Sequence, residues 1–184
     1  MKEIQDNFNK IKELLKSDDF DVANTGLELA RALDEDVLYE KLLEGCGVDK
    51  EGKLVNEKKE ISDYLVCSLA SISNGQKAKE ILDNVTNLDL SSCKSITNVD
   101  GLANLTKLTS LVLHDCQLLT NIDGLANLTK LTELDLDCCT KITNLDGIAK
   151  LTNLTKLTLS NCKSLTNLDG LANLTNLIEL NLSS

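Results

Sequence analysis

The sequence lacks the features that would place it in a membrane or on nucleic acid. No apolar stretch approaches the roughly 20 residues that a helix needs to cross a bilayer. The opening residues MKEIQD are polar, so we expect no secretory signal. Positive charge is outnumbered, with 19 Lys and Arg against 29 Asp and Glu, so the formal net charge is -10 and the sequence pI is about 4.6. This acidity argues against nucleic acid or an anionic membrane surface as the main partner.

Aromatic residues are few and unevenly placed. The chain has no tryptophan, and its two phenylalanines and two tyrosines all lie between Phe8 and Tyr64. Proline is absent, and His114 is the only histidine. This uneven distribution indicates two halves with different packing. We therefore predict a helical domain at residues 1–84 and a second domain at residues 85–184.

The cysteines do not form a disulfide framework. There are seven, an odd number, and four of them follow one another at a fixed interval of 23 residues. We expect reduced thiols and a cytoplasmic location, where disulfides are rare. The four regularly spaced residues are Cys93, Cys116, Cys139 and Cys162.

The first half shows helical spacing of apolar side chains. Ile4, Phe8 and Ile11, for example, recur every three or four positions. Helices are predicted at about residues 2–16, 21–33, 37–43, 61–72 and 76–83. A turn, which could belong to a short hairpin, is predicted at Asp49–Gly52. Because the first coil of a repeat array exposes an apolar edge, we expect this domain to act chiefly as its cap.

The second half repeats one phrase with the same period as the cysteines. The stretch LTSLVLHDC at Leu108–Cys116 returns with changes from Val85 onward, giving four full repeats and a terminal strand. Leucines alternate at the fourth and sixth positions of each repeat, which predicts a short strand with those side chains inward. After the cysteine, apolar residues come every third position, which predicts a 3₁₀ or irregular segment. Stacking would pair the strands in a parallel sheet.

The pattern LxxLxLxxCxxI with this period resembles the cysteine-containing subclass of leucine-rich repeats. The helical residues before it also resemble the region that precedes the repeats in some bacterial proteins. The resemblance implies an α/β fold: a right-handed solenoid with parallel strands on its concave face, behind an all-α N-terminal cap. An Asp-Gly pair such as Asp100-Gly101 recurs in each repeat. Its aspartate carboxylate is predicted to cap the outer turn, and its glycine is predicted to relieve the backbone there. The recurring Asn98 and Thr106 positions are predicted to form hydrogen-bonded ladders up the stack.

Function is expected on the concave face. Counting Leu108 as position 1 of its repeat, inward and turn positions barely change between repeats, whereas positions 3, 5, 7 and 8 vary and are predicted to point outward. Variation on a rigid lattice is how solenoids present binding surfaces. We therefore predict a protein-binding site with an acidic centre, suited to a basic or polar partner surface. Its residues are Asp89, Val112, His114, Asp115, Glu133, Asp135, Asp137, Lys156 and Thr158.

Two chemical alternatives use some of the same residues. His114, Asp135 and Asp137 could ligate a metal from adjacent strands. Cys138 with His114 and an aspartate could form a thiol catalytic set. No supporting residues around such a metal and no oxyanion-hole element accompany them, so we expect no enzymatic activity and no cofactor or metal. The four regularly spaced cysteines are expected to be structural, because parallel side chains give poor disulfide geometry.

A structural role is the alternative to a binding module. The sequence stops on a fifth strand, and a strand edge with unpaired backbone groups invites pairing. In this alternative the chain self-associates, for instance as a homodimer, through an edge that contains Glu179, Leu180, Asn181 and Leu182.

Overall fold

The computed structural model of the protein describes residues 2–17, 20–33, 42–44, 46–56, 76–93 and 96–183. The helix predicted at residues 61–72 lies outside these ranges, as does most of the one predicted at 37–43.

Two helices open the chain. Helix α1 is Lys2–Leu15 and helix α2 is Phe20–Leu33, close to the predicted bounds, and the two pack against each other. Leu15 and Ala30 are buried in this contact region. Gly26 permits the close approach, because a Cβ there would press against the side chain of Leu15.

A short antiparallel hairpin follows in the described chain. Strand β1 is Cys46–Val48 and strand β2 is Leu54–Asn56. Asp49 shapes the turn, because its carboxylate accepts the backbone N–H of Glu51 at 2.9 Å and of Lys53 at 3.0 Å. The described residues before the repeats therefore include an antiparallel hairpin as well as helices, so this region is not all-α.

The hairpin turn also closes the outer edge of the first repeat strand. Helix α3, Gln76–Asn84, leads into that strand. The carbonyl of Gly52 accepts the N–H of Thr86 at 2.8 Å and that of Asn87 at 3.1 Å, and Lys53 forms a parallel bridge to Asn87. Gly52 has φ +76, which favours glycine, and a Cβ there would collide with the Thr86 side chain. The first coil is thus covered at this edge by a turn.

Five parallel strands form the repeat sheet in chain order. In each pair of neighbours, the central leucine of one strand lies opposite the central leucine of the next. The strands are β3 Asn87–Asp89, β4 Ser110–Val112, β5 Glu133–Asp135, β6 Lys156–Thr158 and β7 Glu179–Asn181. Four 3₁₀ turns lie after the cysteine segments, at Asp100–Leu102, Asp123–Leu125, Asp146–Ile148 and Asp169–Leu171. The predicted alternation of strand and 3₁₀ segment is confirmed.

The aspartates of the repeated Asp-Gly pairs do not cap the outer turns as predicted. The 3₁₀ turns have no side-chain cap. Instead, the asparagine two residues earlier accepts the aspartate N–H, as Asn121 does for Asp123 at 2.7 Å. The glycine is required by stacking, because a Cβ on Gly124 would overlap the carbonyl of Val99 in the preceding repeat. Close packing of consecutive coils therefore explains the glycine.

Hydrogen-bonded ladders run up the stack, but through threonines other than the Thr106 series. In one series, Thr109, Thr132 and Thr155, each hydroxyl donates to a carbonyl one repeat earlier at 3.0 Å. In a second series Thr120 and Thr166 make the same kind of bond at 3.1 and 3.4 Å. The Asn98 series accepts hydrogen bonds within its own repeat. In the fifth repeat the equivalent of Thr155 is Ile178, which cannot continue the ladder.

Candidate functional site

The residues predicted for binding lie on the side of the sheet that faces away from the core. On each strand the residues before and after the central leucine point away from the buried interior. We define the strand face as nine side chains, all of which are at least partly exposed. They are Asp89, Val112, His114, Asp115, Glu133, Asp135, Asp137, Lys156 and Thr158. Ser160 at position 7 is buried, and its hydroxyl accepts that of Ser183, the equivalent residue of the next repeat, at 3.1 Å.

A shallow depression of about 170 Å³ lies in the middle of the strand face. Its lining residues include the acidic Glu133 and Asp135, the basic Lys156 and the apolar Val112. Pockets for drug-sized ligands occupy about 300–1,000 Å³. A depression of this size suits a single protruding side chain better than a whole small molecule.

Two aspartates of the strand face also fix the local backbone. Asp89 Oδ1 accepts the N–H of Ser91 at 2.9 Å and its hydroxyl at 2.5 Å, and these hydrogen bonds lower the pKa of the Asp89 carboxyl. Asp135 accepts the N–H of Asp137 at 2.9 Å, and Asn181 makes the equivalent bond in the fifth repeat. Position 5 thus has a structural role in alternate repeats, which the variation between repeats did not reveal.

His114 and Asp137 meet across neighbouring repeats. His114 Nδ1 lies 3.5 Å from Asp137 Oδ2. The other oxygen of Asp137 lies 3.5 Å from Cys138 Sγ and 3.5 Å from Asn161 Nδ2. Asp135 is engaged with the backbone instead. Within the described ranges, no group of three or more His, Cys, Asp or Glu side chains is arranged to hold a metal ion.

Cys138 is poorly suited to act as a nucleophile. Desolvation and the hydrogen bond from its thiol to Asp137 raise the pKa of Cys138. A raised pKa lowers the fraction of thiolate, which is the reactive form of cysteine. This geometry gives no support to the thiol catalytic alternative.

The eighth position of each of the four full repeats is in the left-handed conformation. Its four φ angles lie between 57° and 60°. Few side chains tolerate this region, and Asn and Asp are among those that do. The four residues are Ser92, Asp115, Cys138 and Asn161. Asp115, predicted as a binding residue, therefore also has a structural role in this turn. The recurrence of small side chains at the eighth position was the sequence signal for the turn.

The four regularly spaced cysteines belong to the core and its margins. Cys116 and Cys139 are buried, and Cys93 and Cys162 are partly buried. Each of three thiols donates to the backbone carbonyl of a leucine in the preceding repeat, for example Cys139 Sγ to Leu113 O at 3.2 Å. Burial raises the pKa of Cys116 to about 12 and that of Cys162 to about 11. These thiols stay protonated and donate hydrogen bonds to the backbone of the preceding repeat.

A family model and one solved structure support the same fold. A family model described as Zer-1-like, leucine-rich repeats matches residues 76–137. Among solved structures, an internalin (inlF) from Listeria monocytogenes is similar, with a TM-score of 0.50 and 32% sequence identity. That match covers 65% of this chain and 34% of the internalin, so the chain spans about a third of that structure. Internalin C2 of the same organism matches with 21% identity and a TM-score of 0.45, over 86% of this chain and 83% of that one. None of the curated proteins matches significantly.

The strand register and the 3₁₀ turns define the class of fold: the repeats form an α/β solenoid of leucine-rich-repeat architecture, and helices α1, α2 and α3 precede it in the described part of the chain. Its repeats are similar to those of a bacterial internalin. In the part of the chain that the structure describes, no helix has the length and apolarity needed to span a membrane.

Proposed function

We propose that this chain is a non-enzymatic protein-binding module that uses the strand face. The observation that supports this is a contiguous group of carboxylates on exposed or half-exposed positions of adjacent repeats. Neighbouring parallel strands lie about 4.8 Å apart, so the negative electrostatic potentials of these carboxylates add together. The carboxylates are those of Asp89, Asp115, Glu133, Asp135 and Asp137.

The chemistry of the face favours a partner with a basic or polar surface. The one lysine of the face, Lys156, lies 3.4 Å from Glu179 Oε2, so its charge is largely balanced. Val112 offers an apolar contact beside Glu133 and Asp135 at the depression. Such an arrangement would steer a cationic partner and would bind it more weakly as salt rises. The six cysteines within the described ranges are free thiols, which favours a reducing, cytoplasmic setting as part of this proposal.

The test removes two negative charges from the strand face and keeps the hydrogen bond that fixes the backbone there. In the double variant Glu133→Gln/Asp135→Asn, the asparagine Oδ1 can still accept the N–H of Asp137. The matched control is Asp146→Asn/Asp169→Asn, which removes the same charge from exposed 3₁₀ turns. Binding is measured by fluorescence anisotropy with a labelled lysine-rich peptide, and by quantitative capture of proteins from a cell extract.

We expect the strand-face variant to weaken binding by roughly two- to thirtyfold, since two exposed charge contacts contribute about 0.2–1 kcal/mol each. The control should bind like the parent. Equal losses in both variants would indicate attraction to net charge alone, and unchanged binding by the strand-face variant would exclude this face. Either result overturns the proposal.

A further inference from the structure

Two rows of side chains frame the depression in the middle of the strand face. The register between strands sets one row at the position before the central leucine and the other at the position after it. The first row is Ser110, Glu133 and Lys156, and the second row is Val112, Asp135 and Thr158. Leu111 and Leu134, whose side chains are buried in the core, form the floor between the rows. The two acidic residues therefore occupy the middle of the frame.

Each of these two carboxylates is held through one of its oxygens. Glu133 Oε2 accepts the hydroxyl of Ser110 at 3.4 Å, and Asp135 Oδ1 accepts the N–H of Asp137 at 2.9 Å. Within the described ranges these are the hydrogen bonds of the two carboxylates. One oxygen of each, Glu133 Oε1 and Asp135 Oδ2, therefore remains to accept a hydrogen bond from a ligand.

The lysine of the frame is paired on the side away from the acidic residues. Lys156 Nζ lies 3.4 Å from Glu179 Oε2 on β7, and β7 and β5 lie on opposite sides of β6. The amine is thus drawn away from Glu133. The negative charge of Glu133 and Asp135 is therefore left for a cation of the partner, beside the apolar side chain of Val112.

We propose that the depression binds a single lysine side chain of the partner, with the ammonium between Glu133 and Asp135 and the aliphatic stem against Val112. This inference rests on the proposed function, because it names the residue type through which a basic partner contacts the strand face. An ammonium carries three donors on one atom, so it can bond two oxygens that belong to separate carboxylates. A guanidinium pairs best with both oxygens of one carboxylate, and here one oxygen of each is already engaged. The depression therefore favours lysine over arginine.

The test compares two labelled peptides of equal length and charge, one rich in lysine and one rich in arginine, by fluorescence anisotropy. The parent should bind the lysine peptide about two- to fivefold more tightly, the range expected for one exposed charge contact. Thr158→Phe fills the depression with an aromatic side chain and keeps every charge of the strand face. It should weaken binding of the lysine peptide by about the same factor and abolish the preference over arginine.

The matched control is Thr129→Phe, which adds the same ring at an exposed threonine in the loop before β5, outside the frame of the depression. It should bind both peptides like the parent. Aromatic residues are favourable in strands, so Thr158→Phe should fold, which thermal unfolding by circular dichroism checks. The preference of the parent for lysine, and its loss in Glu133→Gln/Asp135→Asn, do not depend on that variant.

The outcomes separate this inference from the proposed function. Equal binding of the two peptides by the parent, tighter binding of the arginine peptide, or a lysine preference that survives in Thr158→Phe would each overturn the lysine-binding depression. If Glu133→Gln/Asp135→Asn still weakens both peptides in that case, the strand face binds through its charge and only the lysine assignment is wrong. If the charge variant binds both peptides like the parent, the proposed function fails, and the lysine assignment fails with it.

Discussion

Replacing Cys139 tests whether the regularly spaced thiols stabilise the solenoid. The side chain is buried, and Sγ donates to Leu113 O at 3.2 Å. In Cys139→Ala the loss of one buried sulfur leaves a small cavity, which we expect to destabilise the protein by about 1 kcal/mol. Leu113 O still accepts the N–H of Cys116, so the lost hydrogen bond adds only about 0.5 kcal/mol. The expected total is about 1.5 kcal/mol.

The same substitution at the margin of the array is the internal control. Cys162 makes an equivalent bond to Leu136 O at 3.2 Å, but its side chain is only partly buried. Cys162→Ala should therefore lower the free energy of unfolding by less than Cys139→Ala does. Urea unfolding followed by circular dichroism measures both variants against the parent. If Cys139→Ala is neutral, or if Cys162→Ala is the more destabilising change, the thiols do not stabilise the core in this way.

Three further predictions concern other features of the repeats. Native-state alkylation followed by mass spectrometry should modify the partly exposed Cys138 before the buried Cys116, and equal rates would contradict the burial described. Gly147→Ala should destabilise the protein by about 2–4 kcal/mol, seen as a lower Tm, because its Cβ would overlap a carbonyl of the preceding repeat; an unchanged Tm would contradict this. The Asp89 carboxyl has a lowered pKa, so it stabilises the fold above its unfolded pKa of about 3.9, and this stabilisation is lost as pH falls through the folded value. Ser91→Ala should raise that pKa in an NMR titration, and no change would show that Ser91 is not the cause.

Periodicity in the sequence was enough to predict the architecture of residues 85–184. A leucine at the fourth and sixth positions of every repeat fixes which side of each strand is buried, and the constant repeat length fixes the register between strands. Both are properties of local sequence, so they are visible without a structure. The helices α1, α2 and α3 were predictable for the same reason.

Features that depend on distant contacts were not predictable. The turn at Gly52 covers the first strand only because the chain returns to it at Thr86, on the far side of helix α3. The need for glycine at Gly124 arises from a carbonyl in another repeat. The strand face was predicted as a set of residues, but the additional role of Asp89 in fixing its own turn was not. Variation between repeats shows where a side chain can change, and it does not show which hydrogen bonds each variant makes.

The threonine ladder makes coupling between repeats a nearest-neighbour property. Each hydroxyl bonds only to the coil before it, as Thr132 does to Thr109 O at 3.0 Å, and the strands pair only with their immediate neighbours. In such a one-dimensional stack, total stability is close to a sum of repeat and interface contributions. Duplicating one whole repeat within the array should therefore lengthen the sheet by one strand without altering any existing interface. The number of repeats can then change the area available to a partner while the chemistry of each coil stays the same.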